Sequence, residues 1–240
     1  MILRFAVRTD VGRRRQVNED AYAIEEHLGL FLVADGMGGH RGGQVASRLA
    51  SKAAVRVAGE RGDADEALVE RAARLATAAN EEVFGTAQTD AALSGMGTTL
   101  VALLVQGAGA AVAHVGDSRA YRVREGEIEP LTHDHSVVAD LVSRGEITEV
   151  ESRSHPHRHV LTRAVGVDRE VEVDVREISL APGDDYVLCS DGLTGLVTDA
   201  EIAEEVSGSE DLELVSERLV ALANDRGGSD NITVVLVRVG

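Results

Sequence analysis

The stretch Phe31-Leu32-Val33-Ala34-Asp35-Gly36-Met37-Gly38-Gly39-His40 joins an apolar run of strand type to an aspartate and a glycine-rich turn. Acidic residues mark three more strand boundaries in this 240-residue chain: Asp117 after Ala113-His114-Val115-Gly116, Asp191 after Val187-Leu188-Cys189-Ser190, and Asp230 before the last apolar run. Any one of them could be an ordinary turn residue or a helix cap. Together they favour carboxylates that converge at one edge of a β-sandwich.

Convergent carboxylates repel one another in a site of low dielectric constant and therefore need a countercharge. A fifth acidic group, Asn18-Glu19-Asp20, precedes another predicted strand and adds to that need. Oxygen ligands without thiolates or a histidine pair suit Mg²⁺ or Mn²⁺ better than Zn²⁺. Two such ions about 4 Å apart can lower the pKa of a bridging water and assist an in-line phosphoryl displacement. The pattern predicts a site for several divalent cations.

The hydropathy pattern predicts strands in runs and helices in pairs. The predicted strands are 2–9, 21–26, 29–34, 98–106, 109–116, 119–124, 171–178, 185–190 and 231–239, and the predicted helices are 43–59, 64–87, 136–144, 199–206 and 211–226. This grouping favours an antiparallel α+β sandwich over a doubly wound sheet. We expect residues 1–240 to form a single domain, with the polar stretch near 145–160 as a mobile flap.

The composition argues against several classes of partner and compartment. The chain has 24 Lys and Arg against 41 Asp and Glu, a net charge of −17 that repels nucleic acids and anionic membrane surfaces. Its one cysteine, Cys189, lies in an apolar run, where a thiol is poorly placed to act as a nucleophile. There is no apolar segment typical of a secretion signal or a membrane span. We expect a cytoplasmic monomer without disulfides.

Seven short motifs follow one another in the order known from one enzyme family. They are Thr9-Asp10-Val11-Gly12 through Arg15-Gln16-Val17-Asn18-Glu19-Asp20, Asp35-Gly36-Met37-Gly38-Gly39-His40, Gly95-Met96-Gly97-Thr98-Thr99, Gly116-Asp117-Ser118-Arg119, Leu161-Thr162-Arg163-Ala164-Val165-Gly166, Ser190-Asp191-Gly192-Leu193 and Gly228-Ser229-Asp230-Asn231-Ile232-Thr233. The set resembles the signature of the bacterial metal-dependent type 2C (PPM) serine/threonine protein phosphatases. The resemblance implies a four-layer αββα sandwich, with two central antiparallel sheets flanked by helices.

The same resemblance implies a binuclear Mn²⁺ or Mg²⁺ centre at one edge of the sandwich. Asp35 would bridge the two core ions, and the carbonyl of Gly36 would bind one of them. Asp191 and Asp230 would complete the ligands of the first core ion.

Three further carboxylates receive roles by this resemblance. Glu19 and Asp20 would act on the other core ion, mostly through its water ligands. Asp117, together with Asp191, would hold a third and weaker ion. The alternative for Asp117 is that it merely caps the Asp117-Ser118-Arg119 hairpin.

Arg15 is the candidate for binding the substrate phosphate. Its guanidinium offers a bidentate fork that lysine cannot reproduce, and by resemblance it holds the family's position three residues before Asn18. Its neighbours Arg13 and Arg14 are interpreted as solvated.

The general acid has more than one candidate. Eukaryotic relatives have a histidine directly after the Asp-Gly pair, whereas Met37 stands there in this chain and His40 follows three residues later. His40 could protonate the leaving oxygen, a water could do so instead, or His40 could simply start a helix. The flap residues His155-Pro156-His157-Arg158-His159 are interpreted as exposed rather than as a zinc site.

These observations predict a phosphatase that hydrolyses phosphoserine and phosphothreonine in proteins by direct attack of a metal-bridging hydroxide, without a phosphoenzyme. The expected partners are phosphorylated substrates of serine/threonine kinases. One alternative is a catalytically inactive regulatory or binding module, which should have lost a ligand, whereas Asp35, Asp117, Asp191 and Asp230 are all present. A second alternative is a dedicated phosphatase for an anti-sigma-factor antagonist.

Overall fold

Two five-stranded antiparallel sheets lie face to face in the computed structural model, which describes residues 1–38, 42–60 and 66–240. The first sheet consists of β1 (Leu3–Asp10), β8 (Arg119–Arg124), β9 (Glu127–Pro130), β11 (Asp185–Cys189) and β12 (Ile232–Val239), in the order β1-β12-β11-β8-β9. The second consists of β2 (Ala21–Glu25), β3 (Leu30–Ala34), β6 (Leu100–Gln106), β7 (Gly109–Val115) and β10 (Asp174–Ser179), in the order β10-β7-β6-β3-β2. Two short strands, β4 (Gly36–Met37) and β5 (Gly97–Thr98), pair with each other beside them.

Helices cover the outer face of each sheet. The second sheet is covered by α1 (Gly42–Gly59) and α2 (Leu68–Thr89), and the first by α5 (Asp191–Thr194), α6 (Asp199–Ser207) and α7 (Leu212–Asp225). Two more helices, α3 (Val137–Ser143) and α4 (Glu149–Ser152), lie in the connection between β9 and β10. None of the helices in the described ranges is long and apolar enough to cross a membrane.

Three apolar clusters hold the four layers together. Between the sheets, side chains such as Phe31, Val101, Leu188 and Val235 are fully buried. The α1 and α2 faces against the second sheet are rich in alanine, and small side chains allow helices to approach a sheet closely. A fully buried Val or Leu contributes about 1.5–3 kcal/mol by its removal from water. The predicted αββα layering is therefore the one observed.

The nine predicted strands are all present, with ends shifted by a few residues. The prediction missed β4, β5 and β9, as well as the short helices α4 and α5. Strand β9 has the sequence Glu-Ile-Glu-Pro, which is too short to show a clear alternation. In this edge strand Ile128 packs against the core cluster beneath α6 and α7, and Glu129 receives hydrogen bonds from Arg122 and Arg176.

The helix predicted at 64–87 needs a correction at its start. Residues 64–65 lie outside the described ranges, and α2 begins only at Leu68, with Ala67 in extended conformation as its N-cap. The stretch near 145–160 is also more regular than predicted, since it contains α4. In a capping box, Thr148 Oγ1 accepts a hydrogen bond from Glu151 N at 3.2 Å, and Glu151 Oε2 accepts one from Thr148 N at 2.8 Å.

Candidate metal centre and active site

The register of the first sheet brings three aspartates to one edge. Cys189, the last residue of β11, pairs with Arg119 at the start of β8 and with Val234 near the start of β12. Because the strands are antiparallel, the residues just before β8 and β12 and just after β11 meet at the same edge. These residues include Asp117, Asp191 and Asp230.

The second sheet supplies the other two aspartates at the corresponding edge. Ala34, at the end of β3, pairs with Ala21, at the start of β2, so that Asp35 and Asp20 are neighbours. The predicted convergence of strand-end carboxylates is therefore what the two sheets produce. Neither sheet alone holds the complete set.

The carboxylates are close enough to perturb one another's titration. Burial is the largest effect on Asp35, and the charges of Asp20, Asp191, Asp117 and Asp230 add to it, so the pKa of Asp35 lies well above its usual range. Like charges and low solvation both disfavour the ionised form. Such a cluster stores electrostatic free energy that a bound cation can release.

Burial and neighbouring charges also disfavour the ionised form of Asp20, although its carboxylate accepts hydrogen bonds. Its Oδ2 accepts hydrogen bonds from Ser190 Oγ at 2.8 Å and from Thr233 Oγ1 at 2.6 Å, which lower its pKa. Burial outweighs them and, with the charges of Asp191 and Asp230, raises the pKa of Asp20 to about 7. The two hydroxyls orient the carboxylate but do not neutralise it.

Asp117 lies in the turn between β7 and β8. Burial, followed by the charges of Asp191 and Asp134, raises the pKa of Asp117 well above its usual range. The nearby cation, Arg119, instead donates two hydrogen bonds of 2.8 Å to the Asp134 carboxylate. Among the residues that the structure describes, no arginine is therefore hydrogen-bonded to the Asp117 carboxylate.

The backbone of Asp35 is held by two threonines whose role the sequence analysis missed. Asp35 N donates to Thr99 Oγ1 at 2.9 Å, and its carbonyl oxygen accepts from Thr99 N and from Thr98 Oγ1, both at 2.8 Å. The signal was available, since both threonines lie in the Gly95–Thr99 motif. These bonds lock the end of β3 and with it the position of the Asp35 carboxylate.

Glycines let the start of α1 lie directly against the site. A Cβ atom on Gly36 would stand 2.1 Å from the carbonyl oxygen of Gly43 and 2.6 Å from that of Glu19. A Cβ atom on Gly43 would stand 2.8 Å from Glu19 Oε1. Only glycine fits at either position, and this close packing fixes Glu19 next to Gly36.

Asn231 is a second group that the sequence analysis did not assign. Its Oδ1 accepts from Glu19 N at 2.8 Å, and its Nδ2 donates to the carbonyl oxygens of Val11 and Val17, both at 3.0 Å. Its own backbone N donates to Asp230 Oδ1 at 2.8 Å. Asn231 thus ties the arginine-containing loop between β1 and β2 to the carboxylate cluster.

Arg15 reaches the cluster from that loop. Its Nη2 donates to Asp230 Oδ2 at 2.6 Å, and this hydrogen bond is the largest effect that raises the Arg15 pKa. Half of its side chain remains exposed. Arg13 and Arg14 are exposed and form no ion pair within the described part of the chain. Met37, which follows the Asp-Gly pair directly, lies in β4, whereas the general-acid candidate His40 is outside the described residues.

The flap contributes a residue that the sequence analysis left unassigned. His159 Nδ1 lies 3.8 Å from Asp191 Oδ2, although most of the ring is exposed. The next residue, Val160, accepts a hydrogen bond at 2.9 Å from Val137 N at the start of α3. The end of the flap therefore adjoins the carboxylate cluster.

The donor set fits hard divalent cations. Within the described ranges, Asp20 Oδ1 and Asp191 Oδ1 are buried oxygens without a hydrogen-bond partner. In the same ranges, no three His, Cys, Asp or Glu side chains are arranged tightly enough to enclose an ion by themselves. Ions at such a site would keep several waters, as Mg²⁺ usually does in proteins.

Comparison with known proteins agrees with this geometry. Residues 11–234 match the family model for protein phosphatase 2C. The chain is 39% identical to the serine/threonine phosphatase Stp of Listeria innocua over 96% of this chain and 93% of that protein. It is also 38% identical to the serine/threonine protein phosphatase PstP of Mycobacterium tuberculosis, covering all of this chain but 45% of PstP.

Solved structures match over the full length. A crystal structure of the Mycobacterium tuberculosis phosphatase PstP/Ppp superposes with a TM-score of 0.91 at 37% identity, covering 100% of this chain and 99% of that one. The PstP catalytic domain in complex with two manganese ions gives a TM-score of 0.89 at 36% identity, covering 99% of each chain. The predicted fold and family are thereby confirmed, and the chain belongs to the protein phosphatase 2C (PPM) family of serine/threonine protein phosphatases.

Proposed function

We propose that this phosphatase is metal-dependent and that its carboxylate cluster binds two Mn²⁺ or Mg²⁺ ions, with a third in a weaker outer position. The observation that carries the proposal is the convergence of Asp20, Asp117, Asp191 and Asp230, from both sheets, on Asp35. Within the described ranges, Arg15 is the one arginine that is hydrogen-bonded to Asp230. The PstP catalytic domain, which shares this fold, is a complex with two manganese ions.

The core ligands we propose are Asp35, shared by both ions, the carbonyl oxygen of Gly36, and the carboxylates of Asp191 and Asp230. When bound, such ions supply a nucleophilic oxygen at neutral pH and neutralise charge on the phosphate. The donors are carboxylate and carbonyl oxygens, which Mn²⁺ and Mg²⁺ prefer.

Glu19 and Asp20 are proposed to orient the water ligands of the other core ion. Asp20 is suited to this role because Ser190 and Thr233 fix one of its oxygens, while its Oδ1 has no hydrogen-bond partner within the described ranges. Asp117 is proposed to hold the outer ion together with Asp191, since the charge of Asp191 directly raises the pKa of Asp117.

Arg15 is proposed to bind the substrate phosphate. Its hydrogen bond to Asp230 uses one of the five N–H donors of the guanidinium, which leaves others for phosphate oxygens. The bond to Asp230 also holds the side chain beside the cluster, so little conformational entropy is lost when phosphate binds.

Water is proposed as the nucleophile, with direct attack on phosphorus and no phosphoenzyme. Cys189 is fully buried, and burial raises the pKa of its thiol to about 12, so a thiolate is not formed at neutral pH. His40 is retained as the proposed donor of the proton to the leaving seryl or threonyl oxygen.

The substrates are proposed to be proteins phosphorylated by serine/threonine kinases, and residues 1–240 are proposed to act as one catalytic domain and as a monomer. The alternative of an inactive regulatory module would require a missing ligand, and every proposed ligand residue is present. A phosphatase dedicated to one anti-sigma-factor antagonist stays the narrower alternative.

Hydrolysis of a chromogenic aryl phosphate tests the proposal. We expect activity with Mn²⁺ or Mg²⁺, loss of activity after chelation, and recovery when metal is added back. Calorimetric titration of the metal-free protein should show two tight sites and one weaker site. Full activity after exhaustive chelation would refute metal dependence, and equal or faster turnover of phosphotyrosine peptides would contradict the proposed substrate class.

A further inference from the structure

The later part of the flap and the residues after it, 152–167, carry a concentration of basic side chains that is unusual for so acidic a protein, whereas the acidic residues of the flap, Glu146, Glu149 and Glu151, precede this segment. Residues 152–167 contain no Asp or Glu, although the whole chain has a net charge of −17. The same stretch contains three arginines and three histidines: Arg153, His155, His157, Arg158, His159 and Arg163. The net charge of this segment is therefore positive, whereas that of the whole chain is negative.

Two of these arginines have no side-chain partner among the residues that the structure describes. Most arginines in the described ranges pair with a carboxylate, and Arg163 does so with Asp174 at 2.8 Å and with Glu172 at 3.4 Å. Arg153 and Arg158 are exposed and form no ion pair or side-chain hydrogen bond within the described ranges. Their charges are therefore available to another molecule.

Hydrogen bonds hold the basic segment next to the site. Thr162 N donates to the carbonyl oxygen of His135 at 2.9 Å, and His135 N donates to that of Gly116 at 2.8 Å, beside Asp117. Arg158 precedes His159, whose ring lies 3.8 Å from Asp191, and Arg158 N closes a turn onto the carbonyl oxygen of His155 at 3.1 Å. A peptide bound at the carboxylate cluster would thus lie next to the flap.

A second pair of unpaired arginines adjoins the cluster on the loop between β1 and β2. Arg13 N donates to the carbonyl oxygen of Gly228 at 2.7 Å, and Arg14 lies between Arg13 and the phosphate-binding candidate Arg15. The surroundings of the site thus expose uncompensated positive charge on two separate segments.

We propose that the flap residues Arg153 and Arg158 bind acidic side chains that flank the phosphorylated residue, so that the preferred substrates are phosphopeptides rich in Asp and Glu. The inference rests on the proposed function, because it names the substrate class of that same site. The field of a protein with net charge −17 repels an acidic peptide, and unpaired arginines beside the site offset that repulsion locally.

The test uses phosphothreonine peptides that differ only in three residues on each side of the phosphothreonine, which are Glu, Ala or Lys. For the unmodified enzyme at low salt, we expect kcat/KM to be about tenfold higher for the Glu peptide than for the Ala peptide. The difference should lie in KM, because a few exposed ion pairs each contribute modestly to peptide binding. The advantage should shrink strongly at high ionic strength.

The double variant R153A/R158A should lose most of the preference for Glu, while its turnover of the aryl phosphate stays unchanged. The matched control is R48A/K52A, which removes the same charge from exposed positions on α1, about 7 and 13 Å along the helix axis from Gly43. The control should keep the preference.

Equal kcat/KM for the Glu and Ala peptides in the unmodified enzyme would overturn the inference. So would an equal loss of preference in the control, because the effect would then belong to the net charge of the whole protein. A lack of metal-dependent aryl phosphate hydrolysis would instead contradict the proposed function. In that case the binding of the same peptides, measured by fluorescence anisotropy, still decides whether the flap prefers acidic sequences.

Discussion

The central strand of the first sheet, β11, has carboxylates at both ends, and the two ends differ in how those charges are met. At its start, Asp184 accepts hydrogen bonds from Arg124 at 2.5 and 2.7 Å, and Asp185 accepts two from Arg238 at 2.6 and 2.9 Å. At its end, Asp191 Oδ1 is buried and has no hydrogen-bond partner within the described ranges.

Among the paired carboxylates, burial outweighs the hydrogen bonds from Arg238 and raises the pKa of Asp185, whereas the balance at Asp184 is the reverse. Burial works to raise the pKa of Asp184, but the hydrogen bonds from Arg124, Ala181 and Tyr186 outweigh it, and the pKa is lowered. At the site, burial and like charges prevail, and the pKa of Asp35 is raised. Carboxylates paired within the chain are structural, whereas the crowded carboxylates at the other end are arranged for cations that come from outside.

The largest expected effect is on catalysis and follows from a substitution in the carboxylate cluster. Asp35→Asn should lower turnover about 10⁴-fold, roughly 5.5 kcal/mol of transition-state stabilisation, because it removes the carboxylate proposed to be shared by both ions. Turnover of aryl phosphate and metal titration by calorimetry measure the two consequences. The metal-free variant should be at least as stable as the unmodified protein, since one repelling charge is gone. Near-normal turnover would remove Asp35 from the ligand set.

Substitutions at the start of β11 should change the stability of the protein and not its catalytic activity. Arg238→Ala leaves the buried carboxylate of Asp185 unpaired, which should cost about 3–5 kcal/mol in the free energy of unfolding. Urea denaturation measures this loss, and kcat of the folded fraction should be unchanged. The matched control is Arg4→Ala, because Arg4 is an exposed partner of Glu210, which also pairs with Arg238, and its loss should cost less than about 1 kcal/mol. Similar losses in the two variants would contradict the distinction.

Arg15 is hydrogen-bonded to the site carboxylate Asp230, and its removal should act mainly on substrate binding. Arg15→Ala should raise KM for a phosphopeptide about tenfold, roughly 1.4 kcal/mol, and Arg15→Lys should recover only part of that loss, since a lysine cannot form the bidentate contact. Arg14→Ala, which removes an exposed and unpaired neighbour, serves as the control. An unchanged KM in Arg15→Ala would indicate that the arginine only neutralises Asp230.

The smallest expected effect concerns His114, a buried base three residues before Asp117. Burial lowers the pKa of His114 to about 4, below the usual value near 6.5, so the unfolded chain binds the proton more tightly. This contribution to stability is complete above pH 6.5 and is lost as the pH falls toward 4, by about 1 kcal/mol between pH 6.5 and 5.5.

His114→Gln should remove that part of the pH dependence from thermal or urea unfolding of the chelated protein. The site aspartates act in the opposite direction, because their raised pKa values make the metal-free protein more stable as the pH falls, and only the difference between variants isolates His114. An identical slope in His114→Gln and the unmodified protein would show that this imidazole is not desolvated.

Much of the fold could be predicted from the local hydropathy pattern of the sequence. Strand β3 is a continuous apolar run and β12 is mostly apolar, both are buried on both faces, and their ends are marked by Asp35 and Asp230. Strand β9 could not be predicted, because it has only four residues and its Glu129 is stabilised by Arg122 on the paired strand β8 and by Arg176 on β10, which belongs to the other sheet. The helical turn α5 was missed because one turn is too short to show a helical period.

The residue order alone was enough to identify the apolar strands, the aspartates at their ends and the motif series of the phosphatase family, because each depends on local spacing. Only the tertiary structure decided which aspartates are neutralised and which are not. Asp185 and Asp191 stand six residues apart at the two ends of one strand, yet Arg238 reaches only the first. That outcome depends on strand register and on the packing of two sheets, since electrostatic free energy is determined by distance and burial and not by separation along the chain.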